Sequence, residues 1–237
     1  MALILDIETI GEPTASASIA AVSHAIKRAV HDGELRGATS DDVKRAAKIA
    51  EAEATDRLAL SPWTGRVVVV AAWDTEKEKG ICLVDTTAAV HDLPPGFVPA
   101  GRDGEVALVA SAWRIIRDAR QIVTWNGIDF DVPFLVGRAL TCHVGLAPWL
   151  LRAKPWEDAH IDLCARTGMG FKGRARLETA CLAMGIPSPK DAIDGSQVSE
   201  AWAAGRRADV ARYCCGDVIA LRSVWDRWVE CTGSGNG

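Results

Sequence analysis

The sequence lacks the features that mark secreted, membrane and zinc-binding proteins. Its seven cysteines are an odd number and form no C-x-x-C pair, so neither a disulfide framework nor a zinc site is indicated. No positively charged segment precedes an apolar core at the amino terminus, so we expect no signal peptide. The longest apolar runs, such as 67–73, are far too short to span a bilayer. These absences predict a cytoplasmic protein with no membrane partner.

An excess of positive charge is also missing. The chain has 27 Lys and Arg against 31 Asp and Glu, a net charge of −4, so no overall basic field indicates nucleic-acid binding. Bound metal ions and a local basic loop can still support such binding. The composition, 49% hydrophobic and 24% charged over 237 residues, is that of an ordinary globular protein. It suits one large α/β domain or one domain with an insertion.

The hydrophobic pattern predicts a mixed sheet flanked by helices. Strands are expected at 2–9, 66–74, 80–87 and 121–126. Helices are expected over Asp103–Arg120 and Ala208–Val229. The first of these helices should bury an apolar face made of Val106, Val109, Trp113 and Ile116.

An Ala-rich, charged stretch follows the first strand. Its apolar spacing suits two helices, Ala15–His31 and Ser40–Leu60. We therefore predict a helical insertion over 12–60 within a single α/β domain that covers 1–237.

Two acids share one face of the first predicted strand. Strand side chains alternate, so Asp6 and Glu8 point away from the face of Leu3, Leu5 and Ile7. The two acids are about 6 to 7 Å apart along the strand. In apolar surroundings such charges repel each other unless a cation lies between them, and Mg²⁺ or Mn²⁺ would suit. The alternative is an edge strand whose solvated face carries ordinary surface acids.

More acids follow the strand predicted at 121–126. A turn at Gly127 leads to a helix that opens near Asp131. An acid in the first turn stabilises the positive end of a helix, which is a purely structural role for Asp131. The functional interpretation is that the strand end aims this carboxylate at the acids of the first strand. Asp129 is the competing carboxylate, and spacing alone leaves both open.

The third informative stretch lies near the start of the terminal helix. Tyr213 and Asp217 are four positions apart and share a helix face. Tyr213 is the only tyrosine in a chain with nine tryptophans. A buried tyrosine hydroxyl needs a partner, so a hydrogen-bonded core tyrosine is the structural alternative.

The patterns D-x-E, N-x-x-x-F-D and Y-x-x-x-D occur in that order. In this order they resemble the DEDD superfamily of 3′→5′ exonucleases, which have the ribonuclease-H-like fold. With its tyrosine in the third pattern, the chain resembles the branch of the superfamily that includes ribonuclease D and polymerase proofreading domains. No histidine matches the catalytic position of the histidine branch. The wider sequence is similar to stand-alone predicted exonucleases related to the proofreading domain of family-B DNA polymerases. The matching segments are Leu60–Arg66, Asp162-Leu163 and Leu177–Pro187.

The resemblance implies a two-metal phosphodiester hydrolase. Its metal-binding carboxylates would be Asp6, Glu8, Asp131 and Asp217, which would hold two divalent ions, Mg²⁺ or Mn²⁺. Tyr213 would orient or help to activate the attacking water. The products would be nucleoside 5′-monophosphates released from the 3′ end of nucleic acid, which we expect to be single-stranded DNA. Replication or repair proteins are further partners that fit such an activity.

The resemblance also implies contacts with substrate. Asn126 would lie near the terminal nucleotide, and Thr9 and Ile10 near its base and sugar. A basic run is a candidate for phosphate tracking or a solvated turn, and its cationic residues are Lys172, Arg174 and Arg176. Asp162 follows a strand-like segment, 159–161, and we expect it to support the site or the fold.

Two rival functions have to be weighed against the exonuclease. One is a nuclease-like module that binds nucleic acid or a polymerase without cutting, and the intact acids argue against it. The other is an endonuclease on the same fold. The spacing of Tyr213 and Asp217, together with Asn126, favours the exonuclease.

Overall fold

The computed structural model describes residues 1–12, 39, 41–42, 44, 58–152, 158–168, 175–187 and 193–233. The chain forms two compact units, one of Met1–Glu8 with Val67–Gly237 and one of Thr9–Arg66. Most of the predicted insertion lies outside the described residues, including all of the helix predicted over Ala15–His31 and most of that predicted over Ser40–Leu60. The insertion over 12–60 and the single domain over 1–237 therefore stay predictions.

Six strands form one mixed sheet. They are β1 (Ala2–Gly11), β2 (Gly65–Asp74), β3 (Lys79–Asp85), β4 (Phe97–Arg102), β5 (Gln121–Thr124) and β6 (His160–Asp162). Their order in the sheet is β4-β3-β2-β1-β5-β6. The pairs β1–β5, β5–β6 and β3–β4 are parallel, whereas β2 and β3 are antiparallel. The four predicted strands are confirmed to within a few residues, and β4 was not predicted.

Seven helices have both their ends among the described residues. They are α1 (Glu105–Asp118), α2 (Asp131–Thr141), α3 (Pro148–Arg152), α4 (Leu163–Thr167), α5 (Leu177–Met184), α6 (Val198–Ala203) and α7 (Arg207–Thr232), with a 3₁₀ turn over Gly195–Gln197 before α6. The helices predicted over Asp103–Arg120 and Ala208–Val229 are confirmed as α1 and α7. The α/β class, a mixed sheet flanked by helices, is confirmed and agrees with a ribonuclease-H-like fold. Among the described helices none is long and apolar enough to cross a bilayer.

The core lies between the sheet and helices α1 and α2. The indole of Trp113 is fully buried and donates a hydrogen bond to the Leu135 carbonyl at 3.2 Å. The prediction that Val106 belongs to the buried face of α1 is wrong, because this side chain is 57% exposed. Val106 lies in the first turn at the margin of the apolar face, and Leu108 and Ala112 fill the centre of that face instead.

A buried ion pair ties α1 and α2 to β2. Glu105 accepts hydrogen bonds from Arg138 at 2.8 Å and 2.6 Å, one to each carboxylate oxygen. One of these oxygens also accepts from the Val67 backbone N–H at 2.8 Å. Both side chains are about nine-tenths buried, so removing either would leave an uncompensated charge in the interior. The pair therefore fixes the beginning of α1 against β2.

Candidate active site

β1 presents Asp6 and Glu8 on one face of the sheet. Leu3, Leu5 and Ile7 belong to the core on the opposite face, as strand alternation predicted. Asp6 is half-buried and Glu8 is 9% exposed. β1 has β2 on one side and β5 on the other, so the alternative of a solvated edge strand is wrong. The two acids stand on a central strand.

α2 begins at Asp131, and this carboxylate is drawn inwards. Asp131 is 3% exposed, whereas its competitor Asp129 lies at the surface. The Asp131 side chain makes no capping hydrogen bond to α2, and its Oδ1 atom is buried without a hydrogen-bond partner among the described residues. Burial raises the pKa of Asp131 to about 7, although backbone N–H groups, including that of Ile7, hydrogen-bond to the carboxylate and oppose the shift. The bond from Ile7 joins α2 to the acidic strand.

α7 contributes Tyr213 and Asp217, which are both half-buried. The Tyr213 hydroxyl donates a hydrogen bond to the Asp217 carboxylate. Burial raises the pKa of Asp217 to about 6, with this hydrogen bond opposing the shift and the Glu178 carboxylate adding to it. Burial and the nearby acids also raise the pKa of Tyr213, so its phenol stays neutral. The tyrosine hydroxyl therefore has the hydrogen-bond partner that a buried hydroxyl needs, and that partner is the Asp217 carboxylate.

Four carboxylates from three elements therefore share one electrostatic environment. Burial raises the pKa of Asp6 well above its usual range, and Asp131, Glu8 and Asp217 raise it further by repulsion. Burial, Asp217 and Asp131 do the same for the pKa of Glu8. Mutual repulsion of this kind is relieved when a cation lies among the acids. Carboxylate oxygens are the ligands that hard divalent ions prefer.

A family model described as predicted 3′-5′ exonuclease related to the exonuclease domain of PolB matches residues 65–235. The chain belongs to this family. The resemblance to stand-alone predicted exonucleases is thereby confirmed. The matched region contains Asn126, Asp131, Tyr213 and Asp217, whereas Asp6 and Glu8 precede it. No curated protein matches the chain.

Membership of this exonuclease family supports a nuclease activity with nucleic acid as its partner. The acidic cluster fits the divalent metal ions that exonucleases of this kind use.

Sequence reasoning missed one residue of the cluster, Cys214. Its thiol donates a hydrogen bond to Asp6 Oδ2 at 3.5 Å and lies 3.6 Å from the Asp6 carbonyl oxygen. Ligand atoms of Asp6, Glu8 and Cys214 lie within 4.8 Å of one another. Helical spacing places Cys214 on the face of Asp217, which is three positions later, but it does not report the contact with Asp6.

The predicted substrate contacts are only partly described. Asn126 lies two positions after the end of β5 and is half-buried, and Arg176 is exposed at the start of α5. Thr9 is 8% exposed and donates its hydroxyl to the Ala59 carbonyl at 2.6 Å within the second unit, where Ile10 is half-buried. Lys172 and Arg174 lie outside the described residues. The roles of all six residues in binding substrate stay predictions.

Proposed function

We propose that the protein is a metal-dependent 3′→5′ exonuclease that removes nucleotides from single-stranded DNA and releases nucleoside 5′-monophosphates. The observation that carries this proposal is the convergence of Asp6, Glu8, Asp131 and Asp217 from β1, α2 and α7. Burial raises the pKa of all four carboxylates, and repulsion from other acids of the group raises those of Asp6, Glu8 and Asp131 further. Such a group destabilises the metal-free fold, which indicates a function that needs the four acids together. The family match supports the reaction and its direction.

The donor set fits a pair of hard divalent cations, Mg²⁺ or Mn²⁺. Oδ1 of Asp131 has no hydrogen-bond partner in the described part of the chain, so it is costly to bury, and a bound cation would satisfy it. Asp6, Glu8, Asp131 and Asp217 would hold the two ions. When bound, such ions supply positive charge that stabilises the attacking and leaving oxygens of a phosphodiester.

The remaining residues would orient the reactants. Tyr213 reaches the acids through its hydrogen bond to Asp217, and we propose that its hydroxyl orients the attacking water. Asn126, Thr9 and Ile10 would contact the terminal nucleotide. Cationic side chains position a nucleic-acid backbone without reading its sequence, a role that we assign to Lys172, Arg174 and Arg176.

Replacing Tyr213 with phenylalanine should lower kcat on the order of a hundredfold and change KM by less than about threefold. The ring would still pack against the helix, so only the hydroxyl is lost. Steady-state kinetics on a 5′-labelled single-stranded oligonucleotide would measure both constants. Thermal unfolding of the variant would control for the fold. An unchanged kcat would make Tyr213 a core tyrosine and remove it from the reaction.

Analysis of the earliest products separates this proposal from its two rivals. Chromatography of single-stranded DNA incubated with the protein and Mg²⁺ should show nucleoside 5′-monophosphates from the first time point. An endonuclease would first produce oligonucleotides. A binding module that no longer cuts would retain DNA in a mobility-shift assay and yield no product.

A further inference from the structure

The carboxylate of Asp162 is 1% exposed and lies where β6 meets α4. Its Oδ1 atom accepts a hydrogen bond from the Ala165 backbone N–H at 3.1 Å, which caps α4. The same oxygen accepts from the Asn126 backbone N–H at 2.9 Å. Its Oδ2 atom accepts from the Ile128 backbone N–H at 3.1 Å. Two of the three donors therefore belong to the loop between β5 and α2.

A helix cap alone does not require both of these oxygens. Serine, threonine or asparagine at the same position would offer one acceptor to the first turn of α4. The second oxygen of Asp162 faces Ile128, which is 34 positions away in the sequence. The carboxylate thus does more than end a helix, because it joins α4 to the loop that precedes α2.

That loop has an unfavourable backbone conformation. Asn126 has a φ of 65°, in the left-handed region that asparagine tolerates better than most residues. A Cβ atom at Gly127 would overlap the side chain of Thr124, whose hydroxyl is hydrogen-bonded to His160 Nε2 at 2.8 Å. Such a conformation persists only where surrounding contacts determine it. Asp162 supplies two of those contacts.

We propose that Asp162 is a positioning residue that fixes Asn126 for binding of the terminal nucleotide. The carboxylate holds the backbone on either side of Gly127, so it sets the direction in which the Asn126 side chain leaves the loop. The substrate part of this inference rests on the proposed function. The anchoring of the loop does not, and it is measurable without DNA or metal.

Asp162→Asn is the discriminating variant, because it keeps the acceptor for Asn126 and Ala165 and places an amide NH₂ against the Ile128 N–H. Asp74→Asn is the matched control. The Asp74 carboxylate also accepts from two backbone N–H groups, those of Glu76 and Lys77 at 3.0 Å and 3.1 Å, in the turn between β2 and β3.

Hydrogen exchange in metal-free protein tests the anchoring. We expect amide exchange over 125–130 to become at least about tenfold faster in Asp162→Asn. Exchange in the same segment should stay unchanged in Asp74→Asn. Unchanged exchange in Asp162→Asn would overturn the inference.

Kinetics on a 5′-labelled single-stranded oligonucleotide test the consequence for substrate. KM should rise about tenfold in Asp162→Asn with kcat within about threefold, and KM should be unaffected in Asp74→Asn. Asn126→Gly, which adopts the left-handed φ without strain, should raise KM similarly. The double variant should be no worse than either single one, because residues that act through each other are not additive.

The remaining outcomes are also decisive. Additive effects of the Asp162 and Asn126 substitutions on KM would overturn the positioning role, and so would a loss confined to kcat. Wild-type protein that neither binds nor cuts the oligonucleotide would overturn the proposed function and the substrate part of this inference. Hydrogen exchange would still decide whether Asp162 holds the loop.

Discussion

Replacing Asp6 with alanine should abolish the release of nucleotides, lowering kcat by at least about a thousandfold. Asp6 stands at the centre of the cluster, since Asp131, Glu8 and Asp217 all raise the pKa of its carboxylate. Its loss would remove the carboxylate that all three of the other acids face. Single-turnover hydrolysis of a 5′-labelled strand in saturating Mg²⁺ measures the effect on chemistry apart from binding.

The matched control is Asp129→Ala. Asp129 is an exposed carboxylate two positions from Asp131, so its removal should change kcat by less than about threefold. Thermal unfolding should show that Asp6→Ala remains folded, because the substitution removes repulsion from the site. Full activity in Asp6→Ala, or inactivity in Asp129→Ala with Asp131→Ala active, would contradict the assignment of the metal-binding acids.

Metal-free protein should lose stability as the pH rises from about 5 to 8. Burial raises the pKa of Asp131 to about 7 and of Asp217 to about 6, whereas an unfolded aspartate titrates near 4. The folded state therefore favours the protonated form of each carboxyl group. The resulting stabilisation is fully present below about pH 4 and is lost as the pH rises through the folded pKa. One pKa unit corresponds to about 1.4 kcal/mol, so we expect a loss of a few kcal/mol and a Tm lower by about 5 to 10 °C at pH 8.

Asp131→Asn isolates this effect. Burial lowers the pKa of His160 to about 4, so this histidine destabilises the fold below about pH 6.5 and opposes the carboxylates. The variant retains His160, so the difference in Tm between it and the wild type reports the carboxylate alone. In EDTA the Tm of the variant relative to that of the wild type should rise as the pH rises. Mg²⁺ should raise the Tm of the wild type more at pH 8 than at pH 5, and an equal rise at both would contradict the metal site.

The sequence was sufficient for those parts of the site that depend on local periodicity. Alternation along a strand placed Asp6 and Glu8 on one face, and helical spacing placed Tyr213 beside Asp217. The same reasoning located β1, β2, β3 and β5 within a few residues, because each contains a continuous apolar run. It failed for β4, where exposed residues and Pro99 obscure the strand pattern.

Contacts between residues distant in the sequence were not predictable. The choice between Asp129 and Asp131 depends on where the loop after β5 ends and α2 begins. Cys214 meets Asp6 across 208 positions, and no periodicity reports such a contact. The carboxylate of Asp162 reaches Asn126 across 36 positions. Its position after a strand-like segment predicted support for the site or the fold, but the hydrogen bonds that define that support required the tertiary structure.

The central claim is that the four acids cut nucleic acid at its 3′ end with divalent metal ions. A time course on 5′-labelled single-stranded DNA in Mg²⁺, Mn²⁺ or EDTA, with matched RNA and duplex strands, tests it most directly. We predict a ladder that shortens from the 3′ end in either metal, fastest on single-stranded DNA, and an intact strand in EDTA. Intact strands in every metal, from protein that is folded and binds the DNA, would contradict the exonuclease and favour the binding module that does not cut.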